Sequence, residues 1–201
     1  MNQSVYTNRI ALTVALGGFL MGFDASVISG VNKFVQIQFN LSDLQLGFSV
    51  SSLTIVAALA MMFSGPLSDK YGRKLVLKYC ALIFTVSAIG SALATGFTSF
   101  LIFRMLGGLG VGASLIVAPM YIAEIAPASK RGRLVSFNQL NIVLGITIAF
   151  FTNYYILSLA DHTSSWVSNY GIAEHNWRWM LGIEALPAIV YFFALFSVPK
   201  S

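Results

Sequence analysis

Three ionisable side chains, Asp24, Arg104 and Glu184, stand where the surrounding sequence is almost wholly apolar. An Asp or Arg at the centre of a membrane helix costs about 2.5 to 3.5 kcal/mol on insertion scales, so such residues are kept for pairing or for ion chemistry. Their depths follow from the helical rise. Asp24 lies 15 residues beyond Arg9, roughly 22 Å from the inner boundary, which leaves ~8 Å to the outer surface of a hydrocarbon core about 30 Å thick. Arg104, in a stretch entering near Thr98, and Glu184, in one entering at Arg178, each come out about 9 Å below that outer surface. One shared level permits contact. Two carboxyls and one guanidinium are neutral together when one carboxyl holds a proton. A proton held there is exchangeable, as a proton-coupled carrier requires. A permanent salt bridge beside a snorkelling glutamate satisfies the same charges, and residue types alone do not separate the two.

A second charged set is the run Gly65-Pro-Leu-Ser-Asp69-Lys70-Tyr-Gly72-Arg73-Lys74 between two apolar stretches. Glycine permits a sharp reversal there. Lys70, Arg73, Lys74 and Lys78 hold the turn on the cytoplasmic side. Asp69, expected just past a helix end, is placed to bind the backbone or a nearby arginine.

The elements that position these residues follow from composition. Only 9% of residues are charged and 57% are hydrophobic, against about one quarter charged in a soluble domain. Apolar windows long enough to cross hydrocarbon fall at about 10–31, 44–67, 75–94, 99–122, 135–157 and 179–198. The expected fold is one all-α membrane domain of six helices spanning 1–201. The first window is too long for a cleavable signal peptide and lacks an Ala-x-Ala-like exit. Gly108 and Gly112 form a small-xxx-small face on the fourth span that lets a neighbouring helix approach closely. Cys80 is the lone cysteine and lies inside the third span, which removes disulfide and thiolate-metal readings. No Ser/His/Asp, Cys/His or metal-ligand set converges at one depth, so neither an enzyme nor a metal or cofactor is expected.

Nine cations (Arg9, Lys70, Arg73, Lys74, Lys78, Lys130, Arg131, Arg133 and Lys200) fall on one side of these spans, and Lys33 and Arg178 on the other. The positive-inside rule then puts both termini in the cytoplasm. The net charge of +5 is a topology signal and gives no nucleic-acid surface. Outside lie Asp43, Asp161 and Glu174, with an outer loop from Leu159 to Asn176. In that loop His162 and His175 read as solvated, and Trp166 and Tyr170 as interfacial.

The run at Asp69 resembles the signature loop of the major facilitator superfamily. Gly22-Phe-Asp24-Ala-Ser-Val-Ile-Ser-Gly30, Arg104-Met-Leu-Gly-Gly-Leu-Gly-Val-Gly112, Pro119-Met-Tyr121-Ile-Ala-Glu124-Ile-Ala-Pro127 with Arg131-Gly132, and Asn176-Trp-Arg178-Trp-Met180 resemble sugar porter motifs in the expected order. Leu134-Val-Ser-Phe-Asn-Gln139 is most similar to bacterial xylose–proton symporters. The expected bundle is two three-helix repeats of inverted topology, and, independently of any motif, Asp24 in the first helix and Arg104 in the fourth are expected in equivalent places. The resemblance carries roles for particular residues. It implies that Asp24 accepts the coupling proton, that Arg104 is its partner, and that Glu184 tunes the pair. Gln139 would hydrogen-bond sugar hydroxyls, although Ile146 stands where xylose symporters carry a second glutamine. Asp69, Arg73, Glu124 and Arg131 would form the network that closes the cytoplasmic gate.

The implied activity is proton-driven import of a pentose or hexose across a bacterial inner membrane, with protons as coupling ion and no cofactor. The alternatives are an uncoupled facilitator or a non-transporting sugar receptor. Val198-Pro-Lys-Ser201 resembles the opening of the motif after helix six. The family's helices seven to twelve are not within the sequence, so the C-terminal half is an implied partner, together with the sugar and the bilayer.

Overall fold

The computed structural model describes residues 3–160, 167 and 171–199. The readings at Asp161, His162, Trp166, Tyr170, Lys200 and Ser201 lie outside those residues. The elements are α1 (Gln3–Gln38), α2 (Asp43–Tyr71), α3 (Arg73–Ala92), α4 (Phe97–Ile125), α5 (Arg131–Ala160), α6 (Asn176–Ile183) and α7 (Ala185–Ala194), with 3-10 turns at Ala128–Lys130 and Leu195–Ser197. No strand occurs among the described residues. Among the described residues, six helical segments are long and apolar enough to span a membrane, α6 and α7 together making the sixth.

Several helices outrun their apolar windows, since a helix keeps its backbone bonds after leaving hydrocarbon. α2 is the informative case. It continues through Asp69 to Tyr71, so Asp69 sits in its last turn rather than past its end. The connection to α3 is Gly72 alone, with φ +87 and ψ 141, a backbone region that is essentially glycine's. At the other end, Ser42 opens α2 with a capping box: its Oγ accepts from the Gln45 amide at 3.3 Å, and Gln45 Oε1 accepts from the Ser42 amide at 3.0 Å. Two of the orphan amides at a helix start are satisfied this way.

Two helix pairs make the closest backbone approaches. On α1, Gly18 and Gly22 face the carbonyls of Asn138 and Ile142 on α5. On α4, Gly108 and Gly112 face those of Leu53 and Ala57 on α2. A Cβ at any of the four would collide with the facing backbone. The two sets match residue for residue, as expected when α1–α3 and α4–α7 are related by an in-plane two-fold. In that register Asp24 aligns with Ser114, and Arg104 with Val14. The expected equivalence of Asp24 and Arg104 therefore fails. An inverted repeat sends the outer half of α1 to the inner half of α4, so off-centre residues at one depth cannot be mates.

The interior divides into two apolar clusters stacked along the bundle. One, toward the N-terminal end of α1, includes Ala11, Val14, Leu20, Val111, Tyr121 and Leu195. The other, toward the C-terminal end of α1, includes Phe23, Val27, Phe100, Trp177 and Leu181. Along α1, α4 and the sixth span, the boundary between them falls at Asp24, Arg104 and Glu184. The sixth span breaks at that level. Pro187 has no N–H for the carbonyl of Ile183, and its ring crowds that carbonyl. The Glu184 amide instead donates to Leu181 O at 3.2 Å, one residue tighter than an α-helical bond.

Candidate functional site

Asp24, Arg104 and Glu184 are each buried to within 3% of complete exclusion from solvent. Arg104 grips Asp24 with both ends of its fork. Nη1 donates to Oδ1, and Nη2 lies 3.5 Å from Oδ2. A two-point guanidinium–carboxylate pair of this kind is charge-assisted and orientation-specific. Depth counting made this contact possible, and the packing of α1 against α4 makes it.

Glu184 completes the cluster from the break between α6 and α7. It interacts electrostatically with both Asp24 and Arg104, and its carboxyl meets that of Asp24. That meeting becomes a hydrogen bond only when one carboxyl holds a proton, because ionised carboxylates only accept. Glu184 Oε1 and Arg104 Nε are buried without a hydrogen-bond partner. An orphan acceptor and an orphan donor thus share a layer with a satisfied pair, in surroundings where an unpaired polar atom costs of order 1–3 kcal/mol. The arrangement offers Arg104 a second carboxylate and either carboxyl a proton.

Where the C-terminal ends of α2 and α4 meet the start of α3, Arg73 is the centre of a second cluster. Its guanidinium pairs with Asp69 and with Glu124, with Nε and Nη2 each 3.0 Å from Glu124 Oε1. The Asp69 and Glu124 side chains stay largely exposed, so each pair adds at most about 1 kcal/mol to stability. A network this weak holds geometry and releases it readily. Arg131, at the start of α5, is exposed and makes no ion pair among the described residues. Gln139 is also exposed, one residue from Asn138, whose carbonyl faces Gly18. Gly18 is ~9 Å from Asp24 toward the N-terminal end of α1, so Gln139 belongs to a different level from the charge layer.

Other polar anchors carry no role from sequence reading. Lys74 Nζ donates to the carbonyls of Phe196, at 3.1 Å, and Val198. Tyr121 OH donates to Pro199 O at 2.9 Å. The Lys78 ammonium lies 3.3 Å from the Phe196 ring centroid. Together they clasp the end of the sixth span to α3 and α4. The one-turn spacing of Lys74 and Lys78 was the available signal, but it reads first as a topology charge. Arg178, likewise counted as an outer cation, donates to Ala92 O at 2.8 Å and stacks on Trp177. It caps the C-terminal end of α3, where a cation is favoured.

The profile of the family described as "Sugar (and other) transporter" matches residues 10–201. A glucose transport protein of Synechocystis is 42% identical over 96% of this chain and 41% of its own length. A D-xylose-proton symporter of Escherichia coli is 38% identical over 99% of this chain and 44% of its own length. Among solved structures, a proton:xylose symporter bound to 6-bromo-6-deoxy-D-glucose superimposes with a TM-score of 0.88 at 36% identity, covering 99% of this chain and 46% of that one. An inward-open xylose transporter from Escherichia coli gives 0.83 at 35% identity, covering 96% of this chain and 48% of that one. The chain thus spans a little under half the length of these relatives.

Proposed function

This chain belongs to the sugar transporter family, and from that premise we propose that it forms the N-terminal six-helix half of a proton-coupled monosaccharide importer. The observation that carries this reading is the buried Asp24–Arg104 pair with the Glu184 carboxyl beside it. Two carboxyls and one cation in a dry layer are neutral with one bound proton. With Arg104 on Asp24, Asp24 is ionised and the one proton rests on Glu184. When Arg104 turns to Glu184, Glu184 gives up that proton, and Asp24, left unpaired, takes one up, so the layer again holds one proton. Asp24 is the loading carboxyl, Arg104 the switch and Glu184 the competitor. No cofactor takes part, and the proton is the coupling ion.

Relatives named for glucose and for xylose support a pentose or hexose as substrate. Gln139 offers an exposed amide to its hydroxyls from a level below the charge layer. Asp69, Arg73 and Glu124 form the cytoplasmic latch, and Arg131 joins it as the second bundle closes. Transport needs that bundle, because alternating access is the rocking of one half against another around a midplane site. The similar fit to a sugar-analogue-bound and to an inward-open structure supports a half that moves as one body. The seat is a bacterial inner membrane with both termini cytoplasmic, as the cation count supports.

The test uses a full-length transporter carrying this half, for instance joined to the complementary half of the Escherichia coli symporter. Asp24→Asn should abolish sugar accumulation driven by a pH gradient while sparing sugar binding and sugar-for-sugar exchange. Accumulation against a gradient that still depends on pH in that variant would remove the coupling role. Uptake by the parent that ignores the pH gradient would make it a facilitator.

A further inference from the structure

α2 and α3 are joined only through Gly72, yet each packs along α4 far more than along the other. Between them they leave a groove of about 810 Å³. Phe63 and Leu67 form one wall, Leu75 and Ile83 the other, and Leu109 and Ala113 of α4 the floor. From Leu59 to Tyr71 along α2 the groove runs roughly 18 Å, close to the depth of one leaflet of a core about 30 Å thick. Phe63, Leu67 and Leu75 are exposed, so the groove opens sideways at hydrocarbon level. The hydrophobic material available there is a lipid tail.

The mouth of the groove carries charge. Tyr71 lines its cytoplasmic end, and the Lys70 ammonium lies 5.3 Å from the Tyr71 ring centroid. The anion nearest in sequence, Asp69, is engaged by Arg73. The Lys74 and Lys78 ammonium groups point to the end of the sixth span. Lys70 is thus the cation presented at the mouth, against the ring of Tyr71. A basic residue next to an apolar slot of leaflet depth fits a negatively charged headgroup with a tail below it.

We propose that this groove is a binding site for one acyl chain of an anionic glycerophospholipid, whose phosphate lies against Lys70. The leaflet, cytoplasmic, rests on the orientation proposed above, whereas the groove and its charge do not. Pro66 lies within the α2 wall and leaves the Met62 carbonyl without its helical donor, so this wall yields more easily than an unbroken helix. A resident tail fills the space that α2 and α3 leave between them and braces the Gly72 turn from which Arg73 reaches Asp69 and Glu124.

The experiment is native mass spectrometry of the purified 201-residue chain, released from micelles holding equal amounts of phosphatidylglycerol and phosphatidylethanolamine with matched tails. One phosphatidylglycerol should be retained per chain, favoured about fivefold, the scale of one lysine at an anionic lipid surface. Lys70→Gln, an exposed change, should reduce that preference to near unity while a lipid is still retained. Ala60→Phe, which fills the groove from α2, should reduce retention of both lipids severalfold. A parallel reading uses Ile83→Trp with phosphatidylglycerol brominated in mid-chain. The new indole should be quenched, and Lys70→Gln should weaken that quenching at a fixed lipid ratio. Equal retention of the two lipids by the wild type, undiminished retention in Ala60→Phe, or an unquenched indole would each overturn the proposal. A wild type that keeps no lipid overturns it too, and leaves the groove to a helix of a second bundle.

Discussion

Arg104 carries most of the electrostatic risk in this molecule. With Asp24 held in its fork and Glu184 against the pair, it is, among the described residues, the only positive charge in a layer with two carboxyls. Arg104→Ala leaves those carboxyls facing each other without a counter-ion, a change of the kind that costs about 3–5 kcal/mol. Asp24→Asn is milder, since the guanidinium keeps Glu184 as an alternative partner. The double variant Asp24→Asn/Arg104→Ala should be more stable than the sum of the single changes implies, because one uncompensated carboxyl is gone. Denaturant unfolding of the four proteins in one detergent checks this. Strict additivity would mean that the two residues are not coupled in the folded state. In the Arg73 cluster, by contrast, Arg73→Ala, which removes two largely exposed pairs, should move stability by no more than about 2 kcal/mol.

At the scale of the elements, backbone approach decides tolerance. Gly22 on α1 and Gly112 on α4 each meet a carbonyl of the partner helix. A carbonyl in a helix cannot swing aside as a side chain can. Gly22→Val and Gly112→Val should therefore destabilise by about 1–3 kcal/mol or more, as overpacking does. Gly47, on α2, has nothing within 4 Å of the place a Cβ would take, so Gly47→Ala should raise stability by about 0.5–1 kcal/mol through helix propensity alone. Gly72→Ala should cost about 1–3 kcal/mol, for the strained backbone rather than for any collision. Thermal unfolding of the series in one detergent reads all four. A Gly112→Val protein as stable as wild type would refute the close α2–α4 contact.

Across the whole molecule, burial is uneven, and the unevenness has a direction. Of the apolar window in each helix, 67% is buried in α1 but only 17% in α2 and 22% in α5. The repeat relation pairs α2 with α5, so the same surface is left open twice. Orientation is checked from outside. In a Cys80→Ala background, Ser129→Cys, on the exposed link between α4 and α5, should resist impermeant thiol reagents in intact cells. Glu174→Cys, exposed near the start of α6, should be labelled by the same reagents. The reverse pattern would invert the topology. Ser68 is unsuitable for this despite its place in the signature loop, because α2 carries on past it and buries it.

Spans, charge layer and loop signature were legible in the chain because each rests on local physics. Twenty apolar residues cross hydrocarbon wherever they occur. A charge among them stands out without reference to any neighbour, and helical rise converts its position into depth. The resemblance carried by Asp69 to Lys74, by the run after Arg104 and by Pro119 to Glu124 placed these features in one family. Depth is a single coordinate, however, and contact needs three. That Arg104 takes Asp24 in its fork, that Glu184 sits at a helix break with an orphan oxygen, and that Gln139 lies below them depend on how α1, α4 and the sixth span rotate against each other. The Lys74 and Tyr121 clasp joins residues far apart in sequence, which no spacing rule connects. The groove between α2 and α3 is more remote still from the sequence. It exists because two helices joined by one glycine both pack on a third, and only packing in three dimensions decides what they leave unfilled.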